Sequence, residues 1–161
     1  ASAGYLSNPF NIIFWIFVLS GFHPKHEAYF QKAHQVGWVM GAFFMLKRKV
    51  FEEVGGFDEN LFMYLEEVEW CKRIKDKGFK IWYAPQAEAI HLHGASSNFN
   101  MSVGFLNELK GIKYFSLKHF RAYYFITKFF LILGLSLRII AFSLLGNTKR
   151  ARVYMRGLGV I

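Results

Sequence analysis

Cysteine, proline and aspartate are scarce in this chain. One cysteine, Cys71, cannot form an internal disulfide, so nothing in the sequence points to an oxidising compartment. Cys71 has no C-x-x-C partner either and reads as a small buried helix residue, not a nucleophile. Two aspartates, Asp58 and Asp76, stand too far apart for a D-x-D pair. No glycine-rich phosphate loop of either standard spacing is present. Acids are few, 11 against 20 Lys and Arg, giving a formal net charge of +9. There are no internal repeats and no low-complexity tracts. The first residues, Ala1-Ser2-Ala3, lack an initiating Met and a basic stretch leading to a cleavage site, which reads as a piece of something longer, without a signal peptide.

What is plentiful is apolar. Of 161 residues 53% are hydrophobic and 19 are Phe. Disordered chains are poor in aromatics, so disorder is excluded, and the length suits one domain. Basic charge with aromatics suggests an anionic partner: a phosphate-bearing substrate, nucleic acid or an anionic membrane surface.

Three textures follow one another. Residues 1–34 hold the apolar run Phe10–Phe22, too short for a spanning helix, then a polar loop with His23, His26 and His34. Residues 35–100 alternate strand-like and helix-like segments. "VGWVMGAFFMLKR" reads as a strand in which Gly37 and Gly41 mark bends, and Lys47–Val54 as a helix stopped by Gly55 and Gly56. "FDENLFMY" reads as a loop. "EEVEWCKRIKDKG" has helical spacing, with Val68, Cys71 and Ile74 on one face and Gly78 as its stop. "FKIWYAP" reads as a strand, and "AEAIHLHGASS" as a short strand and a loop. Residues 101–161 read as a long apolar helical segment interrupted by Lys128 and Arg138 and closed by Lys149, Arg150, Arg152 and Arg156. In a spanning helix Lys128 and Arg138 would each cost about 2.5–3.5 kcal/mol at mid-bilayer. An amphipathic helix in the headgroup plane avoids that cost, and this reading is favoured over a span or a plain soluble helix.

Glu66, Glu67 and Glu69 crowd one helix start. The bland account is favourable charge at the positive end of the helix dipole. The functional account is a carboxylate that takes a proton from an attacking hydroxyl. Spacing alone leaves both open.

The stretch from Trp38 to Ser97 resembles the C-terminal half of the catalytic domain of family 2 glycosyltransferases, the rhamnosyltransferase-like group above all. The matching segments are "WVMGA", "RKVFEEVGGFDE", "FMYLEEVEWCKR", "GFKIWYAP" and "HLHGAS". The resemblance implies an α/β fold: a partial GT-A domain followed by the apolar helical segment. It implies inverting transfer from a nucleotide-sugar donor to a lipid-linked saccharide in cell-surface polysaccharide synthesis. Glu67 falls on the position of the family's catalytic base, where the family carries Asp. Trp38, Gly41, Ala42, Asp58, Glu66 and Arg73 fall on substrate-binding positions. Asp58 could instead cap a turn, and Arg73 could pair with a diphosphate or with the acids beside it. His91 falls on a position near the diphosphate that could ligate metal. A divalent cation, Mg or Mn, is expected to be held mainly by an N-terminal half carrying D-x-D. The implied partners include an anionic membrane surface but no nucleic acid, and the implied place is the cytoplasmic face of the bacterial inner membrane. The competing reading is an inactive remnant that docks on a membrane or a partner.

Overall fold

The structure, a computed structural model, describes residues 3–4, 30–91 and 101–161, which fall into two compact units. The apolar run Phe10–Phe22, His23, His26 and the end of the "HLHGAS" motif lie outside the described residues.

The first unit holds residues 3–4 and 30–91. Four short strands form two antiparallel pairs. β1 (Ala3–Gly4) pairs with β3 (Trp38–Val39), and β2 (His34–Val36) pairs with β4 (Ile81–Tyr83). The register of the second pair sets Val36 opposite Ile81, and both are buried. The single strand expected from Val36 onward is thus two. Gly37 separates them, its N–H donating to the Gly4 carbonyl at 2.7 Å. A turn at Gly41 and Ala42 ends the extended stretch. No strand forms over residues 88–91, which are exposed. Ile90 finds no apolar surface there to bury it.

Helix α1 (Arg48–Val54) and helix α2 (Glu66–Asp76) match the helical readings closely. On α2 the face of Val68, Cys71 and Ile74 is buried, as the spacing requires. With Val36, Val50, Trp70 and Ile81, Cys71 and Ile74 make the core, and Trp38, Phe44 and Phe79 pack against it. Trp70 stacks on Phe44 with ring centroids 5.0 Å apart and meets Phe57 at 4.5 Å.

Gly55 caps α1 with φ +79° and ψ −173°, a region that essentially only glycine enters. Gly55→Ala is expected to destabilise the unit by about 1–3 kcal/mol. At Gly56 an added Cβ would meet only the Phe51 ring edge at 3.7 Å, an ordinary contact. Gly56→Ala should therefore stay within about 0.5 kcal/mol of wild type. Denaturant unfolding of the two variants checks the contrast.

The second unit holds residues 101–161. The stretch read as one long helical segment is three helices: α3 (Met101–His119), α4 (Tyr124–Leu144) and α5 (Thr148–Leu158). A 3-10 turn, Arg121–Tyr123, joins the first two. Between α4 and α5, Gly146 takes φ +70° and Asn147 accepts the Arg150 N–H at 3.2 Å, an N-cap. Leu109, Ile112 and Phe115 of α3, Leu131 and Leu135 of α4 and Ala151 of α5 are buried. Gly157 lets α5 approach closely, since a Cβ there would lie 2.8 Å from Leu109 Cδ1.

Candidate active site

Helix α2 begins in an unusual way. Its first turn has no side-chain cap, and the two residues before it, Tyr64 (φ 71°) and Leu65 (φ 65°), both take left-handed backbone. They are the only non-glycine residues with positive φ among the described residues. A Cβ in that region costs about 1–2 kcal/mol per residue. Such strain persists only where surrounding contacts over-determine the backbone, and it clusters at functional sites. Nothing in the residue types announces it, because neither position is Gly, Asn or Asp.

The three acids that follow have different fates. Glu69 is fully buried and ion-paired with Arg73 at 2.8 Å, four residues on. Glu66 and Glu67 stay half-buried, and each has a carboxylate oxygen, Oε2, that is shielded from solvent and has no hydrogen-bond partner among the described residues. Leaving a buried acceptor unpaired costs roughly 1–3 kcal/mol, more for a charged group. Each of these oxygens can accept a hydrogen bond from a bound group.

Burial pushes the Glu67 carboxyl above the ordinary carboxylate value, and the neighbouring charge of Glu66 adds to the rise. The backbone amides of Glu67 itself and of Gly41 pull the other way. The Gly41–Ala42 turn lies against this side chain: a Cβ on Gly41 would sit 3.8 Å from Glu67 Cβ. A carboxyl raised in this manner holds its proton more firmly once it has taken one, the property wanted of a general base near neutral pH. Cys71, one turn further on, is fully buried, and burial pushes its thiol up to about 11. It is no nucleophile.

The remaining candidate residues separate. Trp38 sits in β3, partly buried, its indole filling the space over Gly4, where a Cβ would lie 2.6 Å from Nε1. Gly41 and Ala42 are exposed in the turn beside Glu67. Asp58 takes the turn-capping option: its Oδ1 accepts from the Asn60 backbone N–H at 3.0 Å and from Asn60 Nδ2 at 2.8 Å. Of the two partners left open for Arg73, the one present is an acid beside it, Glu69. Arg73 also donates to the Val54 and Gly56 carbonyls. His91 is exposed at the end of its described stretch. Among the described residues no three His, Cys, Asp or Glu side chains gather in a metal-sized cluster.

Similarity to known proteins concentrates in part of the chain. One relative, an N-acetylglucosaminyl-diphospho-decaprenol L-rhamnosyltransferase of Mycobacterium tuberculosis, is 39% identical over 88 residues, 50% of this chain and 28% of its own length. The rhamnosyltransferase WbbL of Escherichia coli is 35% identical over 68 residues, 42% of this chain and 25% of its own. The dTDP-rhamnosyl transferase RfbF of Shigella flexneri is 29% identical over 104 residues, 65% of this chain and 34% of its own. The chain therefore spans a quarter to a third of these relatives, and the similarity to rhamnosyltransferases read from the sequence holds over that part. No family model matches the chain. No solved structure matches it.

Proposed function

We propose that this chain is the acceptor-side part of an inverting family 2 glycosyltransferase of GT-A type, moving rhamnose or a related sugar from a nucleotide donor to a lipid-linked saccharide. The observation that carries the reading is the unpartnered, shielded oxygen of Glu67 beside the Gly41–Ala42 turn. Relatives that are rhamnosyltransferases support it, one of them named for a decaprenol-linked acceptor and another for a dTDP-linked donor.

The chemistry follows from that oxygen. An acceptor hydroxyl donates its hydrogen bond to Glu67 Oε2, supplying the donor that this oxygen lacks. As the hydroxyl oxygen attacks the anomeric carbon, its proton passes to Glu67 and the bond from that carbon to the nucleoside diphosphate breaks. Attack opposite the leaving group inverts the anomeric configuration. The exposed Gly41–Ala42 turn borders the sugar, and Glu66, whose charge raises the Glu67 carboxyl, sits next to the base. A Mg or Mn ion would be held by a D-x-D half and would offset charge on the departing diphosphate.

The second unit serves the acceptor. Helix α4 packs Thr127, Leu131, Gly134 and Leu135 inward and leaves Phe125, Phe129, Leu137 and Leu144 exposed. With the 3-10 turn before it, the helix Arg121–Leu144 is also long and apolar enough to cross a membrane. The proposed placement is in the headgroup plane of the cytoplasmic face of the bacterial inner membrane, where a lipid-linked acceptor presents its sugar.

The test uses the complete protein with dTDP-rhamnose and a polyprenyl-diphospho-N-acetylglucosamine acceptor. The expected result is one rhamnosyl unit added per acceptor, with an anomeric configuration opposite to the donor's by NMR. Retained configuration would overturn the base role. Failure of transfer with every nucleotide-sugar tried would favour the membrane-docking remnant.

A further inference from the structure

We infer that Arg73 is a positioning residue for Glu67, acting through a clamp that locks helix α2 onto the end of helix α1. The inference rests on the reading of Glu67 as the base. Three consecutive carbonyls at the end of α1 are each taken by a side chain of α2. Arg73 Nη1 donates to Val54 O at 2.7 Å, Trp70 Nε1 to Gly55 O at 2.8 Å, and Arg73 Nη2 to Gly56 O at 2.6 Å. The last carbonyls of a helix have no partner within it, and a cation suits that negative end. Arg73 Nε completes the fork on Glu69, at 2.8 and 3.1 Å from its two carboxylate oxygens.

Each of the three guanidinium nitrogens therefore donates into the protein. Lysine cannot reproduce this, because its ammonium is a point charge and not a planar fork. Glu69 supplies the buried counter-charge and lies two residues from Glu67 on the same helix. The start of α2 carries two left-handed residues and no side-chain cap, so it does not hold its own direction. The clamp does that one turn later. It thereby fixes where Glu66 and Glu67 leave the helix, and ties them to the loop that begins at Gly55.

The experiment compares wild type, Arg73→Lys, Glu69→Gln and the double variant in the complete protein, with Trp70→Phe as the mildest cut because it keeps the stacked rings. Arg73→Lys and Glu69→Gln are each expected to lower kcat at least tenfold with the donor KM within twofold. The double variant should lose no more than the worse single one, as members of one network do. Amide hydrogen exchange over residues 64–69 should speed up at least tenfold in Arg73→Lys, while Val36 and Ile81 keep their protection. That second readout needs no activity, and Trp70→Phe should shift it in the same direction if Arg73→Lys fails to fold. Unchanged exchange, or unchanged kcat in Arg73→Lys, overturns the inference. So does a donor KM raised tenfold with Glu69→Gln silent, which would assign Arg73 to the diphosphate. If Glu67→Gln keeps wild-type transfer, the base reading fails instead, whatever Arg73 does.

Discussion

Glu67→Gln in the complete protein is expected to lower transfer by about 10²–10⁴-fold, the usual contribution of a positioned general base, with the donor KM nearly unchanged. Glutamine keeps the size and the hydrogen-bonding oxygen but cannot take the proton. The same change should make the fold more stable at neutral pH. Burial holds the Glu67 carboxyl above its ordinary value of 4.5, so the folded state binds this proton more tightly than the unfolded one. For a group raised on folding, the favourable contribution is complete below the unfolded value and is lost as pH rises through the folded one. Above the folded value the native carboxylate is thus a charge held in an unfavourable place, and glutamine relieves it. Near pH 4 the relief should vanish. Unfolding curves at pH 4 and 7 beside a steady-state assay give both signs in one set of samples. Transfer within a few fold of wild type would remove Glu67 from the chemistry. Glu67→Asp, which keeps a carboxylate with a shorter reach, should lose less than Glu67→Gln.

The opposed signs say why this carboxylate stood out only partly in the sequence. In "YLEEVEW" three acids look alike, and dipole chemistry explains all of them equally well. What separates them is direction. Glu69 turns inward because Arg73 lies one helical turn on, a pairing visible as spacing but silent about burial. Glu67 lies against the Gly41 turn, which is far back in the chain and reaches it only through tertiary packing. Helix α2 itself was legible because Val68, Cys71 and Ile74 repeat at helical spacing and Gly78, at φ 84°, stops it. The left-handed pair at Tyr64 and Leu65 was not, because contacts elsewhere impose it on residues that avoid it. The break between α3 and α4 at Phe120 carries no Gly or Pro, whereas Gly146-Asn147 announces the next one plainly. His91 shows the limit of a motif: its match rests on a pattern whose later residues lie outside the described structure.

Replacing Phe129 and Leu137 together by aspartate is expected to abolish vesicle binding by the complete protein. The two belong to a stripe on α4, Phe125, Phe129, Leu133, Leu137, Ile140 and Leu144, whose steps of three and four residues keep it on one side of the helix. Along 21 residues the stripe is about 30 Å long. The opposite side is committed to the protein through Leu131 and Leu135. Burying a large apolar side chain contributes about 1.5–3 kcal/mol, so losing two weakens partitioning by roughly 10²–10⁴-fold before the cost of wetting the aspartates is counted. Lys149, Arg150, Arg152 and Arg156 follow on α5 and should add attraction to anionic headgroups, about 1 kcal/mol per base near the surface. Binding to phosphatidylcholine vesicles should therefore strengthen when phosphatidylglycerol is included and weaken with salt. Reversing the charge of the α5 bases should remove that dependence while leaving apolar binding in place. Carbonate extraction separates the two placements of α4. A helix lying in the headgroup plane is washed off, whereas a spanning one is retained, with Lys128 and Arg138 reaching to opposite surfaces. Retention would overturn the in-plane placement, and wild-type binding by the double aspartate variant would overturn the stripe.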